Sequence, residues 1–442
     1  MADRTDAEVT FRGTRSGEGP LTWGQHGIWI AMARNRRTWN LEFIVDVSDL
    51  RVNVPSIVEA LGQLFARHES LRTLIRVVDG VPRQVVLAAG ALRVPVVPSS
   101  DGESGDTAER LMGELVRPDF RPDVELPVRI SLVVVRELVR HVVFVHYHGL
   151  FDRAAARIVH DDLRCWLATG SFPGEPGLQP LDLARREQSD GVAVSARAVR
   201  YWTDHLRRLP PGMWSPVGPA HEPRNQQAVL TSTALRAAAQ RLATRYRNTP
   251  STVLLAATAA VMGAWTGHRT VALNLHAGNR FRPEFRRYTS NLVQLGLFVL
   301  DLPTDGDFTE VLRRAVRSAL LAYRYSYYDQ LALERARAKV DAERGAEINP
   351  FACFNILDKG FDDADHLAGL SDQDIRARRT EATLERRVEP APSRCPFCVK
   401  LGGLPGAEQP MVLSADTRYL PPDRMDRFLR EVEDLVITSA VG

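Results

Sequence analysis

A chain of 442 residues, 44% apolar and 25% charged, has a globular composition and is too long for one ordinary core, which predicts two domains. Its formal net charge of +3 is too small to mark a nucleic-acid binder. A low cysteine count, a polar N-terminus without a secretory apolar core and no apolar run of spanning length predict a cytoplasmic protein without membrane association.

Residues 1–19 are polar and are expected to form a disordered tail. Trp23 to Arg34 and Val54 to His68 read as helices, the second with Ile57, Leu61, Leu64 and Phe65 on one face. Gln84 to Ala88, Leu92 to Val97 and Arg129 to His148 supply strands, and Ala154 to Leu167 is a helix. Thr169 to Gly177, rich in Gly and Pro, is the clearest linker. A second half begins with the helix Ala196 to Leu209 and continues with helices at Leu235–Tyr246 and Thr252–Trp265. Strands follow at Thr270–Leu275 and Val293–Leu302, then a long helix from Phe308 to about Ala342, broken near Tyr323–Tyr328. Phe351–Leu357, Phe397–Leu401 and Met411–Asp416 read as strands and Arg424–Thr438 as the last helix.

The stretch Phe144 to Arg153 carries the most chemistry. Arg140 to His148 alternates, with Val143, Val145 and Tyr147 on one face and Val142, Phe144, His146 and His148 on the other. His148 ends the strand, and Asp152 stands where an Ala-rich helix begins. A strand-end His followed by a tight loop and an Asp at a helix start is a way to hold a base. The same residues also suit a satisfied strand-end polar group and a helix N-cap. His146 and His148 with Asp152 or Asp161 could ligate zinc, but no further ligand spacing supports that reading. No Gly-x-Ser-x-Gly occurs. Cys395-Pro-Phe-Cys398 has redox or half-metal-site spacing without a second pair, and Cys165 and Cys353 read as core residues.

Further motifs extend the pattern. His148-Gly-Leu-Phe-Asp152 follows Leu21-Thr-Trp-Gly-Gln25-His-Gly-Ile-Trp29 and Arg67-His-Glu-Ser-Leu-Arg-Thr73. It precedes Tyr201-Trp202…Leu206, Ala277-Gly-Asn-Arg280 with Gly296-Leu-Phe-Val299, and Asn349-Pro-Phe351…Phe354-Asn355. In this order they resemble the signatures of nonribosomal peptide synthetase condensation domains, from about residue 20 to the C-terminus. The resemblance implies an α+β fold of two lobes like chloramphenicol acetyltransferase, set in a V with a tunnel between them. The lobes are expected at 20–177 and, with the linker, 178–442.

By the same resemblance His148 is the catalytic residue, acting as a base or positioning group. Asp152 is architectural and pairs with Arg280 from the other lobe, while Asn355 binds substrate. Tyr147 replaces the first signature His, Arg153 the Gly after the Asp, and Leu300-Asp301 the usual Asn-Thr. Tyr147 and Arg153 therefore join Asn355 as candidate substrate-binding residues. An Arg in place of Gly fills space or grips an acidic group.

The implied reaction is attack of an amine or hydroxyl on an acyl thioester, forming an amide or ester in natural-product assembly. It needs proximity, a proton acceptor and oxyanion donors, with no metal and no bound cofactor. The acyl group would arrive on the phosphopantetheine of an acyl or peptidyl carrier protein. No carrier or adenylation segment is present in the sequence, so a free-standing monomer meeting its carriers in trans is expected. Two alternatives stand beside it: an inactive platform recruiting a tailoring enzyme to a loaded carrier, and a coenzyme A-dependent acyltransferase.

Overall fold

The computed structural model describes residues 4–36, 38–304, 307–349, 352–357, 359–362, 365–389, 395–403 and 409–441. Its contacts divide the chain into two compact units: Met1–Val194 with Gly278–Gln294, and Ser195–Ala277 with Leu295–Gly442. Residues 278–294 thus belong with the first unit, although the sequence around them belongs to the second.

The first unit contains β1 (Thr5–Arg12), β2 (Gly17–Pro20), α1 (Trp23–Asn35), β3 (Asn40–Asp46), α2 (Val54–Arg67), β4 (Thr73–Val78) and β5 (Val81–Val86). It continues with β6 (Ala89–Pro98), α3 (Ser104–Val116), β7 (Val128–Val135), β8 (Leu138–Tyr147), α4 (Arg153–Thr169) and α5 (Pro180–Gln188). One sheet runs β1-β6-β7-β8-β3 and a smaller one β2-β5-β4. β8 is flanked on both sides, with Val128 opposite His146 and Asn40 opposite Tyr147.

Both faces of β8 are covered, which explains its almost unbroken apolar sequence. Val142 and Phe144 pack in one cluster with Ile57, Leu61, Leu64 and Phe65 of α2 and with Ala155, Val159 and Leu163 of α4. On the other face Val143 and Val133 meet Ala108 and Leu111 of α3. The α2 face is the one its periodicity predicts, and Asn53 caps the helix by accepting from the Ser56 amide.

The expected N-terminal tail is a correction. All but its first three residues are described, and Thr5–Arg12 is an edge strand paired antiparallel with β6. Val9 and Phe11 are buried while their neighbours face out. An edge strand with one covered face needs only every second residue to be apolar, so a polar composition does not prevent it.

The second unit holds α6 (Gly191–Leu206) from Ser195 onward, β9 (Asn225–Thr231), α7 (Thr233–Tyr246), α8 (Pro250–Thr266), β10 (Thr270–Ala277), β11 (Gln294–Asp301) from Leu295 onward, α9 (Phe308–Arg324) and α10 (Gln330–Arg344). It ends with β12 (Ala352–Ile356), α11 (Asp372–Arg378), β13 (Thr383–Val388), β14 (Phe397–Leu401), β15 (Met411–Asp416) and α12 (Pro422–Val441). Its sheet runs β11-β10-β12-β14-β15-β9-β13. The register lines up Leu275, Phe354, Val399, Leu413 and Ala228 on a face buried in the core with α7, α8, α9 and α12. One residue along, Asn274, Cys353, Cys398, Ser414 and Gln227 line up on the opposite face.

α8 is buried around most of its circumference, as an apolar helix without a polar face must be. The long helix is indeed broken. α9 ends at Arg324, and α10 restarts after Asp329, whose carboxylate accepts from the Leu331 amide. Pro350 and Phe351, part of the late motif, lie outside the described residues. Among the described residues no helix is long and apolar enough to cross a membrane.

Candidate active site at the end of the central strand

β8 delivers its last residues to one end of the first unit's sheet. His148 then donates its amide to the Trp39 carbonyl, 2.9 Å away. The turn Gly149-Leu-Phe151 follows, and Asp152 caps α4, its Oδ1 accepting from the Ala155 amide at 2.8 Å. The N-cap reading of Asp152 is therefore correct, and the residue has a second task.

His148 is half-buried. Its Nδ1 lies 2.7 Å from the Phe151 carbonyl oxygen. A carbonyl only accepts, so the ring proton sits on Nδ1 and Nε2 presents a lone pair. Burial holds this imidazole below its ordinary range, against the opposing pull of the Phe151 carbonyl and the Asp152 charge, while Arg153 pushes the same way as burial. The ring is thus neutral at pH 7 and set up as a proton acceptor. Trp39 flanks it, with ring centroids 6.2 Å apart.

Asp152 orients the loop rather than the imidazole. Its Oδ2 accepts from Arg280 Nη1 at 2.7 Å and from the Leu292 amide at 2.9 Å. Arg280 also donates Nη2 to the carbonyls of Tyr288 (3.1 Å) and Ser290 (3.0 Å). The expected pair therefore forms, but Arg280 reaches it from within residues 278–294, part of the same unit.

Sequence reasoning missed Asn291. This fully buried residue donates Nδ2 to the His148 carbonyl at 2.6 Å and to the Phe151 carbonyl at 3.3 Å. It grips both ends of the turn that fixes the imidazole. Ser290 Oγ donates to the Leu150 carbonyl at 2.6 Å and accepts from Gln25 Nε2 at 3.1 Å. That contact gives the opening motif its purpose. A Cβ on Gly24 would stand 2.3 Å from the Asn291 carbonyl oxygen, so only glycine fits there. The signal for all this is Tyr288-Thr-Ser-Asn291, a polar run that is buried throughout.

The Arg67–Thr73 motif also proves architectural. His68 Nε2 and Arg67 Nε contact Oδ2 of the buried Asp162 at 3.0 and 3.2 Å, and Arg287 bonds its other oxygen. Arg72, 1% exposed, donates to the Phe65, Arg15 and Leu87 carbonyls.

The remaining candidates separate. Tyr147 is not on the surface of the site. It is buried in the core, 5.6 Å from Phe120 between ring centroids, and burial pushes its phenol up to about 12. Its place on the opposite strand face sends it there. Arg153 is exposed at the first position of α4, its guanidinium 5.7 Å from the Phe43 ring centroid. Asn355 is half-buried on β12 of the second unit.

His146 shares no donor set with His148. Its Nε2 lies 3.0 Å from that of His160, with Phe43, Phe144 and Phe151 around the pair. Among the described residues no three His, Cys, Asp or Glu side chains are grouped as a metal ion would require.

A family model described as Condensation domain matches residues 15–387. Phosphinothricin tripeptide synthetase PhsC of Streptomyces viridochromogenes is 25% identical over 388 residues, covering 81% of this chain and 34% of PhsC. Isonitrile lipopeptide synthase of Mycobacterium tuberculosis is 24% identical over 324 residues, 69% of this chain and 13% of that protein. The chain therefore spans about a third or less of these curated relatives. A structure concerning condensation domain-mediated chain release from the enacyloxin polyketide synthase shares the fold, with a TM-score of 0.74 and 19% identity over 97% of this chain and 84% of that one. So does a chain in the complex of the X-domain and OxyB from teicoplanin biosynthesis, at a TM-score of 0.66 and 17% identity over 97% and 94%.

Proposed function

Because the chain belongs to the Condensation domain family, we propose that it joins a carrier-bound acyl thioester to an amine or hydroxyl acceptor, with His148 as the proton acceptor. The carrying observation is the 2.7 Å contact between His148 Nδ1 and the Phe151 carbonyl, which commits the ring proton and leaves Nε2 free to take another.

In this reading the acceptor's nitrogen or oxygen attacks the thioester carbonyl carbon. Its proton passes to Nε2 as the tetrahedral centre forms. Collapse breaks the carbon–sulfur bond, and the leaving pantetheine thiolate takes the proton back from the imidazolium. The thioester is already activated, so no covalent enzyme intermediate is needed. A placed base of this kind supplies about 10²–10⁴-fold. Asn355, on the polar sheet face of the second unit, is proposed as an acceptor-binding residue.

One observation favours a second reading, an inactive platform that presents a loaded carrier to a tailoring enzyme. Arg153 puts a cation beside the imidazole where the family signature has glycine. The test is intact-protein mass spectrometry of an acyl-loaded carrier incubated with a pool of amines and alcohols, alongside an acyl-coenzyme A arm. Acyl transfer with wild type and none with His148→Ala supports the enzyme. Equal carrier binding without transfer by either supports the platform, and transfer only from coenzyme A refutes the carrier.

A further inference from the structure

The second unit gathers three of the chain's four cysteines. Cys353 lies on β12 and Cys398 on β14, directly opposite each other in the parallel ladder. Cys395 precedes β14 and brings its Sγ to 3.2 Å from that of Cys353. Its thiol also donates to the Phe397 carbonyl at 2.9 Å, which fixes its direction. Cys353 is buried, as its sequence pattern predicts, and lies in the row Asn274, Cys353, Cys398, Ser414 and Gln227. It is 8% exposed, whereas Cys395 and Cys398 are half-buried.

We propose that Cys353, Cys395 and Cys398 form a thiol–disulfide site that reacts with low-molecular-weight disulfides and closes a Cys353–Cys395 bridge. A disulfide needs sulfurs about 2.05 Å apart, so the pair must close by roughly 1.2 Å, within the reach of χ rotation. The separation is also shorter than thiolates sharing one zinc ion keep, since each stands about 2.3 Å from the metal in a tetrahedral array. Cys398, opposite the buried Cys353 in the ladder and itself only half-buried, is the group that starts the exchange in this proposal. The Cys353 thiol stabilises its thiolate, and the His276 and Lys400 charges add to this against the opposing effect of burial, holding it below the ordinary range.

The exchange balances without any other reagent. A protein thiolate attacks the small disulfide and expels one small thiolate, leaving a mixed disulfide. A second protein thiolate attacks the protein-bound sulfur and expels the other. Sulfur exchange within the triad then settles the bridge on the closest pair, with the third cysteine left reduced. Two protein S–H bonds and one external S–S bond become one protein S–S bond and two external S–H bonds.

The test treats the reduced full chain with oxidised glutathione, alkylates it with iodoacetamide and maps its peptides, with zinc measured on the same sample. Cys353 and Cys395 are expected in one bridge, reversed by dithiothreitol, with Cys398 and Cys165 alkylated. Cys398→Ser should slow closure about tenfold or more yet give the same bridge, and Cys395→Ser should abolish it. Alkylation of all four cysteines after oxidation, a stable glutathione adduct, a Cys395–Cys398 bridge, or stoichiometric zinc shielding the thiols would each overturn the proposal.

Discussion

Replacing Arg280 by Ala probes the clamp on the histidine turn. Wild-type Asp152 and Arg280 side chains are 2% and 14% exposed, so the carboxylate has almost no water to turn to. The substitution leaves Asp152 charged with only the Ala155 and Leu292 amides, and takes donors from the Tyr288 and Ser290 carbonyls. Breaking one side of such a pair costs roughly 3–5 kcal/mol. For a unit of about 200 residues each kcal/mol is worth roughly 2–4 °C, so the first unit's melting transition should drop by about 10 °C. Arg280→Lys should recover only part of this, because an ammonium cannot fork between a carboxylate and two carbonyls. Asp152→Asn combined with Arg280→Ala should cost less than the sum of the single changes, since no buried charge is left alone. Denaturant midpoints and calorimetry read these values. Additive effects, or an Arg280→Ala protein that melts within about 0.5 kcal/mol of wild type while losing turnover, would refute the architectural reading.

Three further outcomes follow from the geometry. The acid limb of kcat/KM against pH should have its midpoint below 6.5, because burial lowers His148; Arg153→Gly removes a neighbouring cation and should move that midpoint upward, and no movement would sever Arg153 from the base. Burial holds His146 well below the ordinary imidazole value of 6.5 and His160 at about 3, so the unfolded chain binds more protons below pH 6.5. Stability should be full above pH 6.5 and fall by up to about 1.4 kcal/mol per pH unit per histidine as pH drops toward 3; a paired His146→Leu/His160→Leu variant should flatten that slope, and an unchanged slope counts against the pair. Asn291→Ala deprives two carbonyls around His148 of their donor and should lower kcat by up to about 100-fold; Gly24→Ala, which presses on the Asn291 backbone, should act in the same direction at a stability cost of about 1–3 kcal/mol, and full activity in both would remove Asn291 from the site.

Several elements are legible in the residue pattern alone. The α2 stripe, the β8 alternation and the break after Tyr323 are local periodicities, and the helix N-cap at Asp152 is a local hydrogen bond. At Thr5–Arg12 two sequence signals conflict: the composition is that of a polar tail, while Ala7, Val9 and Phe11 alternate with polar neighbours as in a strand. Period outweighs composition there, because β6 supplies the pairing partner. Tyr147 shows the opposite lesson. Its strand face is readable, but that this face is closed over by Phe120 depends on a residue more than twenty positions away.

The sequence by itself determined the alternation that ends at His148, which is written in residue spacing, and the order of motifs that carries the family resemblance; the pairing of Asp152 with Arg280 was legible only as what that resemblance implies. Only the tertiary structure decided that Arg280 and Asn291 act from an excursion of the later chain packed in the first unit. It alone decided which imidazole nitrogen carries the proton, and that Cys353 meets Cys395 and Cys398. The Arg280, Asn291 and Cys353 contacts join residues far apart in the chain, and the His148 proton depends on how the short turn to Phe151 is folded; no periodicity records either.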